Sequence, residues 1–98
     1  MKMIEKIIDH IHEELDGAKE YAEKYIENKA KGNTVRAGIY KEMANDELRH
    51  AERIHEFGTR DIEDIQRVYT LSVEDTEKWE HCQKHFAEKI ALIRHMLT

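Results

Sequence analysis

No proline occurs anywhere in the 98 residues, and apolar residues recur at helical spacing from one end to the other. A chain without proline has nothing that forces a helix to stop, so its helices end only at glycines and capping residues. Only four glycines are present. Charged residues make up 38% and aromatics 7%, the profile of an all-α bundle with long solvated faces. The length suits a single domain spanning residues 1–98.

The stripe Ile4, Ile8, Ile11, Leu15, Ala18, Ala22 and Tyr25 predicts a first helix from Ile4 to between Asn28 and Lys31. Gly32 is the expected residue just past its end, and Asn33-Thr34 form the turn and the next N-cap. A second helix is expected from Val35 to Phe57, with Gly58 ending it. Thr59 or Asp61 would then cap a short helix carrying Ile62, Ile65 and Tyr69. Ser72, with Asp75 three residues on, predicts the start of a last helix whose stripe is Trp79, Cys82, Phe86, Ile90, Ile93 and Leu97. The short turn makes the first two helices an antiparallel hairpin.

Several function classes fall away. Net charge is −5 with lysines and arginines scattered, so no nucleic-acid stripe exists. No apolar run approaches the roughly 18 residues of a membrane span. The acidic, amphipathic start does not resemble a signal peptide. A lone cysteine, Cys82, allows no internal disulfide and points to a reducing, cytoplasmic setting.

One motif points to metal chemistry, although an inward Glu–His pair can also be hydrogen-bonded with no metal. Glu47 and His50 form an E-x-x-H pair, which places a carboxylate and an imidazole one turn apart on one face. That face also carries Ile39, Met43, Ile54 and Phe57. Charge buried without a partner is costly, and a metal cation is one of the few partners that offsets it. On a wheel at about 100° per residue, Glu5, Asp9, Glu13, Asp16, Glu20, Glu23 and Glu27 of the first helix point away from the apolar stripe. Glu14 alone lies on its flank. In the second helix Glu42, Asp46, Glu52 and Glu56 point outward or sit at the margin. Heights agree as well for a first helix that ends at Asn28: Glu14 lies about 21 Å from that end, and Glu47 about 18 Å from a start at Val35, whereas an end nearer Lys31 would offset them by about a turn. The other histidines, His10, His12, His55, His81, His85 and His95, read as surface residues, although His81 and His85 share the i, i+4 spacing that suits a transition metal. Tyr21, Tyr25 and Tyr40 read as packing residues with exposed hydroxyls.

The stretches Glu14-x-x-Gly17-Ala18-x-x-Tyr21 and Tyr40-x-x-Met43-Ala44-x-Asp46-Glu47-x-x-His50-Ala51 resemble the ferritin-like di-iron superfamily, in its rubrerythrin and encapsulated-ferritin branches. The resemblance covers roughly residues 4–57. It implies that Glu14 is a terminal iron ligand, that Glu47 bridges two irons and that His50 caps one. A di-iron bundle uses four carboxylates and two histidines from four helices. The last helix here offers no second inward E-x-x-H, so one chain holds half a set. The resemblance therefore implies a homodimer, or a higher even-numbered homo-oligomer, with a four-helix bundle completed by dimerisation. It also implies oxidation of Fe²⁺ by O₂ or peroxide; manganese and zinc suit the same donors. No rubredoxin-like cysteine module and no encapsulin-targeting tail accompany it, which leaves any external electron donor or compartment shell unspecified. Two rival readings share the fold: peroxide reduction with an external donor, and a non-catalytic helical assembly module.

Overall fold

The computed structural model describes residues 1–98 and contains three α-helices and no strands: α1 (Lys2–Ala30), α2 (Thr34–Gln66) and α3 (Val73–Met96). They run up, down and up in an elongated bundle of 55 × 18 × 18 Å. The chain is all-α, as its sequence requires. No helix is long and apolar enough to cross a membrane.

The turn between α1 and α2 follows from Gly32, whose φ of +78° is the left-handed conformation that glycine adopts without strain. The Gly32 N–H donates to the Lys29 carbonyl at 3.1 Å, and the Asn33 N–H donates to the Asn28 carbonyl at 2.9 Å. These two bonds satisfy carbonyls that the end of α1 would otherwise leave unpaired. The turn is short and defined, so it fixes the register of the hairpin. At the other end, the Asp75 N–H donates to Ser72 Oγ at 3.0 Å, the expected cap of α3.

The end of the second helix differs from expectation. Gly58 does not end α2, and no separate short helix follows; α2 continues through Thr59, Asp61 and Ile62 to Gln66. Gly58 serves packing instead. A Cβ built there would lie 2.6 Å from Cγ2 of the buried Ile7. Glycine at this point lets the α2 backbone approach α1, and the continuous helix then buries Ile62. The same close approach is served along α2 by Ala37, Ala44 and Ala51, all buried.

The core comprises Ile4, Ile7, Ile11, Leu15, Ala18, Ala22 and Tyr25 of α1, the small residues of α2 with Leu48, Ile54 and Ile62, and Trp79, Cys82, Ile90, Ile93 and Leu97 from the last helix and its cap. α3 lies parallel to α1. The N-terminal ammonium meets Asp75 at 2.9 Å, and Lys78 meets Glu5 at 3.1 Å. His12 and His85 rings pack edge to face, 5.0 Å between centres. α3 also closes on α2, where His55 stacks on Phe86 at 4.2 Å and on Trp79 at 5.7 Å. His12 and His55 are therefore half-buried inter-helix residues, not the surface histidines that their sequence positions suggest. Burial pushes the His55 imidazole below its usual range, so the ring packs as a neutral aromatic.

α3 covers only one side of the hairpin. At 100° per residue, His12 lies about 160° around α1 from Glu14, and His55 about 140° around α2 from His50. The opposite side stays open. There Val35, Ile39 and Phe57 are 81%, 53% and 48% exposed, with Met43 half-buried between them. α2 thus carries two apolar stripes. The chain itself buries the one running through Ala44, Leu48 and Ala51. The one running through Ile39, Met43 and Phe57, which the sequence reading took for the buried face, has no partner within the chain.

Candidate metal centre

The open side of the hairpin is where Glu14 of α1 meets Glu47 and His50 of α2. The register set at Gly32 brings residues 14 and 47 to the same level, and each helix turns its side chain toward the seam between them. One ligand atom from each of the three residues lies within 4.8 Å of the other two. His50 Nδ1 is 3.5 Å from Glu14 Oε2 and 3.8 Å from Glu47 Oε1. Both glutamates are half-buried, while the His50 side chain is 59% exposed. The expected burial of His50 on the apolar face of the second helix is thus corrected: it stands on the outer rim of the seam. The reason is the second apolar stripe, which draws the wheel's average away from the face that α1 covers.

A fourth residue joins them. His10 Nε2 lies 3.5 Å from Glu14 Oε1, on the side away from His50. Its i, i+4 spacing from Glu14 was visible in the sequence. The outward acids stay outward: Asp46 is held by Arg49, and neither Glu13 nor Asp16 faces the seam.

The two carboxylates act on one another's protonation. A hydrogen bond shared with Glu14 raises Glu47 from its ordinary 4.5 to about 7, helped by burial and by the Glu14 charge, while His50 opposes the shift. Glu14 moves the other way: the same hydrogen bond from Glu47 lowers it, with further help from His50 and His10 against the effect of burial. Two carboxylates at short range resist ionising together, so the pair holds one proton between them near neutrality. A divalent cation can replace that proton.

Space for the carboxylate is built into α1. A Cβ added at Gly17 would lie 3.0 Å from Glu47 Oε2. Glycine in the middle of a helix is disfavoured by about 1 kcal/mol against alanine, and here the missing methyl is the hollow that receives the Glu47 carboxylate. Gly17→Ala is expected to leave folding stability unchanged or to raise it by up to about 1 kcal/mol, because the displaced atom is the end of a flexible side chain. Metal affinity should fall, since Glu47 must swing away. Urea unfolding and metal titration on the same preparation check both halves. Unchanged affinity would mean that this carboxylate position is not the binding one.

Tyr21 and Tyr40 stack one layer along the seam, 6.2 Å between ring centres, and close it toward the turn. Tyr25 is buried beyond them. Comparison with family models, curated proteins and solved structures gives no match for this chain, so the site is read from its own geometry. That geometry defines a helical hairpin carrying a carboxylate–carboxylate–imidazole group able to hold a metal ion.

Proposed function

We propose that this chain is a ferritin-like half-bundle. Two copies pair their open hairpin faces about a two-fold axis, and Glu14, Glu47 and His50 of each copy together bind two iron ions and support oxidation of Fe²⁺. The observation that carries this reading is the convergence of the three donors at the midpoint of the one hairpin face that the chain leaves uncovered.

The donor set fits iron. Two carboxylates and one imidazole per chain are hard and borderline ligands, suited to Fe²⁺ or Mn²⁺ and also accepting Zn²⁺. The hollow at Gly17 and the shared Glu14–Glu47 proton match a carboxylate pair that gives up a proton when a cation arrives. One chain offers three protein donors, and a second copy doubles them to the four carboxylates and two imidazoles of a di-iron bundle. The exposed Ile39 and Phe57, with half-buried Met43 between them, supply the apolar contact that such pairing buries.

Within this arrangement the roles follow the family resemblance. Glu47, whose carboxylate sits over Gly17, would be the bridging carboxylate. Glu14 is a terminal ligand, oriented by His10. His50, at the rim, supplies the imidazole. Fe²⁺ is the substrate: two ions each give up one electron, and O₂ takes both with two protons to leave as H₂O₂. Apolar Met43, one turn from Glu47 on α2, keeps bulk water away from the group once the faces are paired.

A specific observation also favours a rival reading. Glu14, Glu47 and His50 satisfy one another without any ion, so they could serve only to join helices in a non-catalytic assembly. Metal analysis separates the two. Protein purified without chelator and loaded anaerobically with Fe²⁺ is expected to retain about one iron per chain, as a di-iron site shared by two copies requires. Retention of no iron after desalting would favour the assembly module.

A further inference from the structure

We propose a second metal site, for a late transition-metal ion such as Zn²⁺ or Cu²⁺, built from His12 of α1 with His81 and His85 of α3. It lies on the opposite side of the bundle from the carboxylate group, since His12 and Glu14 point about 160° apart around α1.

Three observations converge there. First, His81 and His85 are spaced i, i+4 on one face of α3, with ring centres 6.4 Å apart. Second, His12 comes from a different helix and packs on His85 at 5.0 Å, the two rings nearly perpendicular at 78°. Third, His12 Nε2 is shut off from water and has no hydrogen-bond partner. A buried polar atom left in that state is costly, and a metal bond would satisfy it.

The distances suit a shared ion. With a metal–nitrogen bond of about 2.0–2.1 Å, two imidazoles on one tetrahedral ion have ring centres about 5.2 Å apart. His12 and His85 already stand at 5.0 Å. His81 lies farther from His85, but it is exposed and free to swing inward. The three do not yet present converged donor atoms as the carboxylate group does, so binding includes this ring movement.

Ligand chemistry separates this site from the other. Asp16 lies close enough for its charge to act on His85, but a donor set of three imidazoles favours Cu²⁺, Ni²⁺ and Zn²⁺ over Fe²⁺. The ion would also tie α3 to α1 through side chains, which makes it a structural clamp across the parallel pair.

The test uses the full chain carrying Glu14→Gln and Glu47→Gln, which silences the carboxylate group. Zn²⁺ titrated calorimetrically into this metal-free variant is expected to bind at about one ion per chain. Adding His12→Ala or His85→Ala should weaken binding at least about tenfold, equivalent to about 1.4 kcal/mol. Binding lost with His81→Ala but untouched by His12→Ala would reduce the site to a surface histidine pair and overturn the proposal. So would no binding at all. A second measurement needs no histidine variant: electron paramagnetic resonance of Cu²⁺ on the same Glu14→Gln, Glu47→Gln chain is expected to show three coordinated nitrogens, and two or fewer would contradict the cross-helix site.

Discussion

Glu47→Ala is expected to abolish Fe²⁺ oxidation and to reduce iron retention more than Glu14→Ala does. A bridging carboxylate serves both ions of a shared site, whereas a terminal one serves a single ion. Loss of a mere outer-shell partner typically costs about 10–100-fold in metal affinity or activity, and loss of a bridging ligand should exceed that. His50→Ala should also lose activity, but for a reason that leaves the fold intact. Its side chain is 59% exposed, so truncation opens no cavity in the core. Stopped-flow absorbance after mixing Fe²⁺ with O₂-saturated protein reads the rate, and circular dichroism shows that each variant remains helical. Wild-type rates in Glu47→Ala would remove Glu47 from the site. Equal iron loss in Glu47→Ala and Glu14→Ala would contradict the division of roles between them.

The second large effect concerns acidity. Folding raises Glu47 from its ordinary 4.5 to about 7. Between those values the folded chain binds more protons at Glu47 than the unfolded chain does, so this residue's contribution to stability falls as pH rises through the window. Glu14 has the opposite sign and acts lower: its contribution is present above its ordinary value and is lost as pH falls through the depressed one. His55 and His85 are lowered by folding, so they favour the folded state more as pH rises toward the ordinary imidazole value of 6.5, and they partly mask Glu47. The clean comparison is Glu47→Gln, a neutral mimic of the protonated carboxyl. Without metal, its stability relative to the wild type is expected to improve from pH 4.5 to 7 by about 1–2 kcal/mol, discounted from the full shift for solvent screening. In a domain of this size that corresponds to a melting difference of about 4–8 °C per kcal/mol. Adding Mn²⁺ under anaerobic conditions should stabilise the wild type by about 2.7 kcal/mol at 100 times its dissociation constant and leave the variant behind. Parallel pH profiles for the two proteins, with no effect of Mn²⁺ on either, would show that the carboxyl pair neither shares a proton nor binds a cation.

The sequence made the hairpin and its carboxylate pair legible because both rest on local rules. A 1.5 Å rise and 100° turn per residue, counted from a turn that Gly32 and Asn33 mark, place Glu14 and Glu47 within about a turn of one level and on facing sides. Ser72 and Asp75 likewise announce the start of α3 through a cap that needs no tertiary context. The rest depends on how helices dock, which local rules do not carry. Gly58 looks like a helix end because glycine commonly ends helices, yet its role is to let Ile7 lie against the α2 backbone. His12 and His55 look like surface residues until α3 is laid parallel to α1 and over α2. The two apolar stripes of α2 read as one broad face, and only packing reveals that α1 and α3 leave Ile39 and Phe57 uncovered. That uncovered face is also why the candidate site is open on one side in a single chain.

The central claim is that this open face, with Glu14, Glu47 and His50 at its middle, is half of a metal site completed by a second copy. Native mass spectrometry of protein loaded anaerobically with Fe²⁺ tests it most directly, because it reports copy number and metal content in one spectrum. A dimer, or a larger even-numbered assembly, carrying one iron per chain is the expected result, with Glu47→Ala losing the iron. A folded monomer at micromolar concentration, or an assembly that never carries metal, would contradict it.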